Sequence, residues 1–277
     1  MKQRLLVAAV GVPLLIVVLV ILPPVATWIL TAAIAAAAAW ELLHTAGKHV
    51  TPLVYGLTML MAVLTVAYIS MDGWRTETGG RLYFVCAYIF VAVLFFIAVV
   101  THGKETALPF ATVAVCIVGG LLFPAMYSCI FLLRMDENYG KLYVLAPFCV
   151  AFVGDALSMY FGMWFGKRKM APHVSPHKTW AGAIGGPIGS ALALVLLGLA
   201  GQKLLGYAPN YLMLILVGVV ANIFGQLGDL SMSLIKREAG IKDYSHLFLT
   251  HGGMLDRFDS SMFIAPIVWF AVSGGIL

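Results

Sequence analysis

Two aspartates interrupt apolar runs of the chain: Asp155 in "AFVGDALSMYFGMWFG" and Asp229 in "ANIFGQLGDLSMSLIK". A carboxylate in such a run needs a cation, a proton or water beside it, so an intramembrane aspartate is a functional candidate by default. A structural aspartate paired with a neighbouring base is the simpler alternative. A denser cluster follows in 233–259, "SLIKREAGIKDYSHLFLTHGGMLDRFD". It gathers Lys236, Arg237, Lys242 and Arg257 with Glu238, Asp243, Asp256 and Asp259, in a chain with 17 Lys and Arg and 12 Asp and Glu. If "DRFD" is helical, Asp256 and Asp259 share a face, with Ser260 one turn on from Asp256. Acidic residues in a first helical turn also simply suit the helix dipole. His251, Gly252 and Gly253 just upstream shift the reading towards a site, because two glycines let backbone N–H groups approach an anion closely. Hard oxygen ligands without cysteine suit magnesium, which keeps waters and bridges to phosphate oxygens.

The basic residues supply the counterpart. In "SPHKTW" (175–180), Pro176 stiffens the turn, Thr179 can cap the helix that follows, and Lys178 stands at the helix mouth. A lysine beside a helix N-terminus is a phosphate site. Lys167, Arg168 and Lys169 read as orientation signals. Lys178, Lys242 and Arg257, set among Gly, His and Asp, read as functional. Carboxylates able to hold a cation, next to bases and glycines able to hold phosphates, suit phosphoryl or nucleotidyl transfer onto a lipid. An ion-coupled transporter would also use Asp155 and Asp229, but it leaves the charged cluster without a purpose. The histidines show no HxxxH or HExxH spacing, which argues against zinc. Cys86, Cys116, Cys129 and Cys149 lie in apolar runs and read as packing residues.

The elements that must position these groups are membrane helices. Of 277 residues, 62% are hydrophobic and 10% charged, against roughly 25% charged in a soluble domain. Mean hydropathy is +0.98. The expected fold is all-α and polytopic, with nine spans near 5–22, 25–44, 52–71, 82–100, 107–133, 143–165, 180–200, 210–234 and 261–277. The basic N-terminus with its long apolar stretch reads as a retained first span rather than a cleaved signal. The run 107–133 is one tilted helix, or two short ones broken at Gly119, Gly120 and Pro124.

Charge decides between these. Unsplit, with the N-terminus in the cytoplasm, the cytoplasmic side carries twelve bases: Lys2, Arg4, Lys48, Lys104, Lys167, Arg168, Lys169, Lys178, Lys236, Arg237, Lys242 and Arg257. The outer side carries five: Arg75, Arg81, Arg134, Lys141 and Lys203. Splitting the run reverses this to seven inside and ten outside. Cytoplasmic loops are enriched in Lys and Arg, which selects the single helix, a cytoplasmic polar cavity and an outer C-terminus. The chain reads as a single membrane domain over 1–277, with packing spans in 1–142 and the chemistry in 143–277.

Residues 150–261 resemble the CDP-diacylglycerol synthases, or phosphatidate cytidylyltransferases. Ser233, Lys236, Arg237, Lys242, Asp243, His251, Gly252, Gly253, Asp256, Arg257 and Asp259 fall in register with that family's long signature. "FGKRKMAPHVSPHKTWAGAIGG" and "GQLGDLSMSLIKR" resemble two further family stretches. The chain departs from the pattern at Leu249 (usually Pro), Met232 (often Glu) and Ala156 (Thr or Ser). The resemblance implies transfer of the cytidylyl group of CTP to phosphatidate in the inner cell membrane, by a homodimer that takes no nucleic acid. It implies magnesium, with or without a second cation, on Asp229, Asp256, Asp259 and Asp155. It implies catalytic roles for Asp229, Lys178, Asp256 and Arg257. Substrate contacts fall to Ser175, Lys178, Thr179, Lys236, Arg237, Lys242, His251, Gly252, Gly253 and Arg257. A related enzyme acting on another phospho-lipid is the nearer alternative. The DGxxAR pattern of CDP-alcohol phosphotransferases is absent.

Overall fold

The computed structural model describes residues 10–70, 77–247 and 252–277. His251 and Leu249 lie outside them. The described residues form nine apolar helices in the order the sequence predicts. They are α1 (Val10–Ile21), α2 (Pro24–Ala46), α3 (Pro52–Ser70), α4 (Glu77–Thr101), α5 (Phe110–Arg134), α6 (Gly140–Phe165), α7 (Trp180–Leu205), α8 (Tyr211–Glu238) and α9 (Leu255–Ser273). Seven of them, α2 to α8, are long and apolar enough to cross a membrane. The protein is an all-α membrane protein.

Helix α5 is continuous, as the charge count requires. A π-turn at Val118–Leu122 precedes Pro124, whose missing N–H and bulky ring a regular α-helix would not absorb. Contacts also sort the loops onto two faces. On one, Lys48 N–H donates to Thr112 Oγ1 at 2.9 Å, joining the α2–α3 loop to the start of α5. Arg237 Nε donates to Val174 O at 3.3 Å on that same face. On the other, Arg134 Nη2 donates to Leu22 O at 3.5 Å, and Tyr139, Tyr143 and Tyr207 meet edge to face. One crossing by α5 therefore separates Lys48 from Arg134.

The alanine run of α2 forms a close-packed seam. Ala35, Ala38 and Ala39 are fully buried in a core shared with Ala62, Tyr127, Ile130, Met262 and Ala265. Small residues allow such backbone approach where lipid gives helices no hydrophobic reason to associate. Glycines play the same part between α6 and α7. A Cβ on Gly182 would meet Ser158 O at 2.6 Å, and one on Gly186 would meet Ser158 Oγ at 2.5 Å. A buried polar chain ties α6, α7 and α8. Asn222 Nδ2 donates to Ser190 Oγ (2.8 Å), which donates to Val150 O (2.8 Å), and Gln226 Nε2 donates to Asn222 Oδ1 (2.7 Å).

Three local features differ from the sequence expectation. The basic loop 166–179 contains a two-stranded antiparallel hairpin, β1 (Lys169–Ala171) and β2 (Ser175–Thr179). Helix α8 runs on to Glu238, beyond its apolar stretch, and carries Lys236 and Arg237 in its last turn, where cations complement the helix dipole. Helix α9 begins at Leu255 rather than 261, so "DRFD" forms its first turns.

Candidate active site

Thr179 ends β2 and begins α7. Its backbone is extended, and its Oγ1 accepts from Gly182 N–H at 3.2 Å, so it is the N-cap the sequence suggested. The cap fixes where the hairpin leaves the helix. Trp180 N–H reaches back to Arg168 O at 3.1 Å and closes the base of the hairpin. Lys178, one residue before the cap, is thereby aimed across at α8. Its Nζ lies 2.6 Å from Asp229 Oδ2, with the side chains 25% and 30% exposed. Ser233, one turn on, donates to Asp229 Oδ1 at 3.3 Å. Asp155, on α6, feels the charges of both Asp229 and Lys178. The three side chains line a cavity of about 500 Å³ together with Ser158, Thr179 and Gln226. Its walls come from α6, β1, β2, α7 and α8.

The structure places the "DRFD" acids differently from one another. Asp259 feels Asp229 and Asp155, and so belongs electrostatically with the cavity. Asp256 is held in a separate clasp. Lys236 Nζ donates to its Oδ1 at 2.6 Å, while Tyr244 N–H (2.8 Å) and Gly253 N–H (2.9 Å) donate to its Oδ2. Gly252 adopts φ +78°, and a Cβ there would meet Asp256 Oδ2 at 2.6 Å, so the turn into α9 requires glycine. Lys236 also lies 5.5 Å over the Tyr244 ring. Tyr244 is buried, which pushes its phenol pKa up, and its hydroxyl donates to Met232 O at 3.0 Å. Met232 itself packs in the apolar core. Where the resembled family often has Glu, this chain has a methionine that packs beneath the clasp.

The remaining bases are distributed around these groups. Arg237 donates to Val174 O and Ile241 O, both backbone carbonyls, and so braces the hairpin against the loop after α8. Lys242 and Arg257 are exposed on the same face, and Ser175 is half-buried in β2. A second recess of about 520 Å³ opens there, lined by Trp40, His44, Asp243, Tyr244, Ser245 and His246.

One buried acid was missed. Glu41 lies in α2 and accepts from Ser245 Oγ (2.6 Å), Met254 N–H (2.7 Å) and Leu255 N–H (2.7 Å). The signal was present in "AAAAAWELLH": a carboxylate in an apolar run, the same criterion that singles out Asp155.

Among the described residues, no three His, Cys, Asp or Glu side chains form a ready-made metal cluster. Magnesium does not need one, since it is commonly held by one or two carboxylates, waters and substrate phosphates. Asp155, Asp229 and Asp259 supply hard oxygens, and the direct ion pair among them is Lys178 with Asp229. Asp155 and Asp229, the two carboxylates that line the cavity, are the number magnesium commonly takes from a protein.

Residues 2–273 match the cytidylyltransferase family. The chain belongs to this family. It is similar to the phosphatidate cytidylyltransferase of Rickettsia prowazekii, with 31% identity over 66% of this chain and 83% of the relative. The phosphatidate cytidylyltransferase of Staphylococcus haemolyticus is 34% identical over 64% of this chain and 66% of its own length. That of Bacillus subtilis is 37% identical over 51% of each.

Proposed function

We propose that this chain transfers the cytidylyl group of CTP to phosphatidate, releasing pyrophosphate and forming CDP-diacylglycerol. The observation that carries this reading is the meeting of Lys178 and Asp229 at 2.6 Å. It joins two sequence stretches that each resemble this family. A phosphate oxygen of phosphatidate attacks the α-phosphorus of CTP. The bond from that phosphorus to the oxygen bridging it to the β-phosphorus breaks, and the oxygen leaves with pyrophosphate. A phosphate monoester is already largely ionised at neutral pH, with a second pKa of about 6, so no strong base is required. Acceleration then rests on alignment and electrostatics.

Lys178 offers its ammonium to a substrate phosphate, and Asp229 holds it in place until the substrate arrives. Arg257 and Lys242, exposed beside the site, add positive charge for the triphosphate. Asp229, Asp155 and Asp259 would hold magnesium. When bound, the ion offsets charge on the phosphate oxygens and shields the carboxylates from them. Asp256, which the resemblance places in the metal set, is here the partner of Lys236. The cavity-bearing face is assigned to the cytoplasm, where the basic loops favour it and where CTP is found. The acyl chains stay in the bilayer beside α6 and α7. The reading extends to a single domain whose chemistry lies in 143–277, working as a homodimer in the cell membrane.

The test is direct. Purified protein in detergent receives radiolabelled CTP, phosphatidate and magnesium, and label is followed into the lipid phase. Transfer that requires phosphatidate and Asp229 supports the reading. Folded protein that moves no label refutes it.

A further inference from the structure

Helix α9 starts without a cap of its own. Its N-cap residue is Met254, whose thioether is only a weak acceptor and makes no cap hydrogen bond. The first amides of a helix have no partner within it, and leaving them unpaired away from water is costly. Here the acceptor arrives from α2, 213 residues earlier in the chain. Glu41 takes Met254 N–H on Oε1 and Leu255 N–H on Oε2, each at 2.7 Å, and Ser245 Oγ closes the group at 2.6 Å. Glu41 is 1% exposed. A Cβ on Gly253 would collide with it, so the glycine makes the approach possible. Negative charge at this end also complements the helix dipole.

The turns that Glu41 caps carry Asp256, Arg257 and Asp259. Ser245, its third donor, follows Tyr244, whose N–H is bound to Asp256. A movement of the Glu41 carboxylate would therefore shift both the start of α9 and the strap that holds Asp256. We infer that Glu41 is a positioning residue for the transfer reaction, a cap supplied by the N-terminal spans that sets the register of α9 against Asp229 and Lys178. This rests on the cytidylyl-transfer reading of the cavity. It changes the role of 1–142, which then contributes to the site as well as to packing.

Three variants test it: Glu41→Gln, Glu41→Ala and Glu41→Asp. Glutamine keeps the size but turns an NH2 towards a backbone N–H. We expect kcat to fall at least tenfold in Glu41→Gln, with KM for CTP changed less than threefold. Hydrogen exchange at Met254 and Leu255 should speed up in Glu41→Gln and Glu41→Ala. Glu41→Asp keeps two carboxylate oxygens for the same two amides and should retain more of kcat than Glu41→Gln. A purely structural role would lower the folded fraction and leave kcat per folded molecule alone. That result would overturn the inference, as would unchanged exchange at the two amides or a loss confined to KM. A wild-type protein inert towards CTP and phosphatidate would sink the functional reading alone, and the exchange rates would still decide the cap.

Discussion

The Lys236–Asp256 pair permits a quantitative test by double-mutant cycle. It is the more enclosed of the two ion pairs described, with side chains 11% and 4% exposed. Removing one partner of a buried pair costs about 3–5 kcal/mol because the other charge is left uncompensated. In Lys236→Met, Asp256 keeps its two backbone donors, so the low end, about 3 kcal/mol, applies. In Asp256→Asn, Lys236 can extend its flexible stem towards water, and Tyr244 and Gly253 can still donate to the amide oxygen, which lowers the cost to about 1–3 kcal/mol. Combining the two leaves neither charge stranded. The double variant should be more stable than the sum of the singles by at least about 1 kcal/mol, within the usual range for residues in contact. The assay is reversible denaturant or SDS titration of the detergent-purified protein, with α-helical signal as readout. Additive single effects, or singles within about 0.5 kcal/mol of wild type, would refute the placement of Asp256 in a buried clasp. Turnover read on the same samples asks a separate question, and Asp256→Asn is expected to abolish it.

Three further outcomes follow from the geometry. Lys178→Ala should raise KM for CTP or phosphatidate by about tenfold or more, equivalent to about 1.4 kcal/mol; unchanged KM and kcat would return Lys178 to the orientation signals. Gly186→Leu should destabilise the protein by about 3 kcal/mol or more, because the new side chain meets Ser158, Asn222 and Gln226 where α6, α7 and α8 converge; a thermal shift assay reads the loss. Chelating divalent cations should abolish transfer, and added magnesium should restore it; activity that survives chelation would remove the metal from the proposal.

Helix count, order and the unsplit α5 were legible because each rests on a strong one-dimensional signal, either a run of apolar residues or an asymmetry of Lys and Arg. Asp229 and Asp155 stood out as candidates because charge inside an apolar run is costly, and Lys178 because it stands beside a helix N-terminus. Partner choice was not. Nothing local says that Lys236 takes Asp256 while Lys178 takes Asp229, since that depends on how far α8 extends and where α9 begins. The hairpin was hidden because 166–179 lacks the alternation of a half-buried strand, and its pairing is completed by tertiary contact. Gly162, Gly166 and Gly182 leave room for Thr179 against α6 and α7. Glu41 showed the right signal, but its partners are backbone amides, which no residue type announces.

The distance in sequence between Glu41 and Leu255 has a consequence for biosynthesis. At about 5–20 residues per second, roughly 10–40 s separate the synthesis of the two positions. For that interval α2 waits in the membrane with its carboxylate lacking the three donors it will finally bind. The alanine seam around it can close early against α3 and α5, but the last contacts of Glu41 form only when α9 arrives. Insertion of α9 is then the event that locks the bundle. A ribosome stalled before residue 254 should leave a chain whose Glu41 is still open to hydrogen-bond donors from lipid headgroups, water or the insertion machinery.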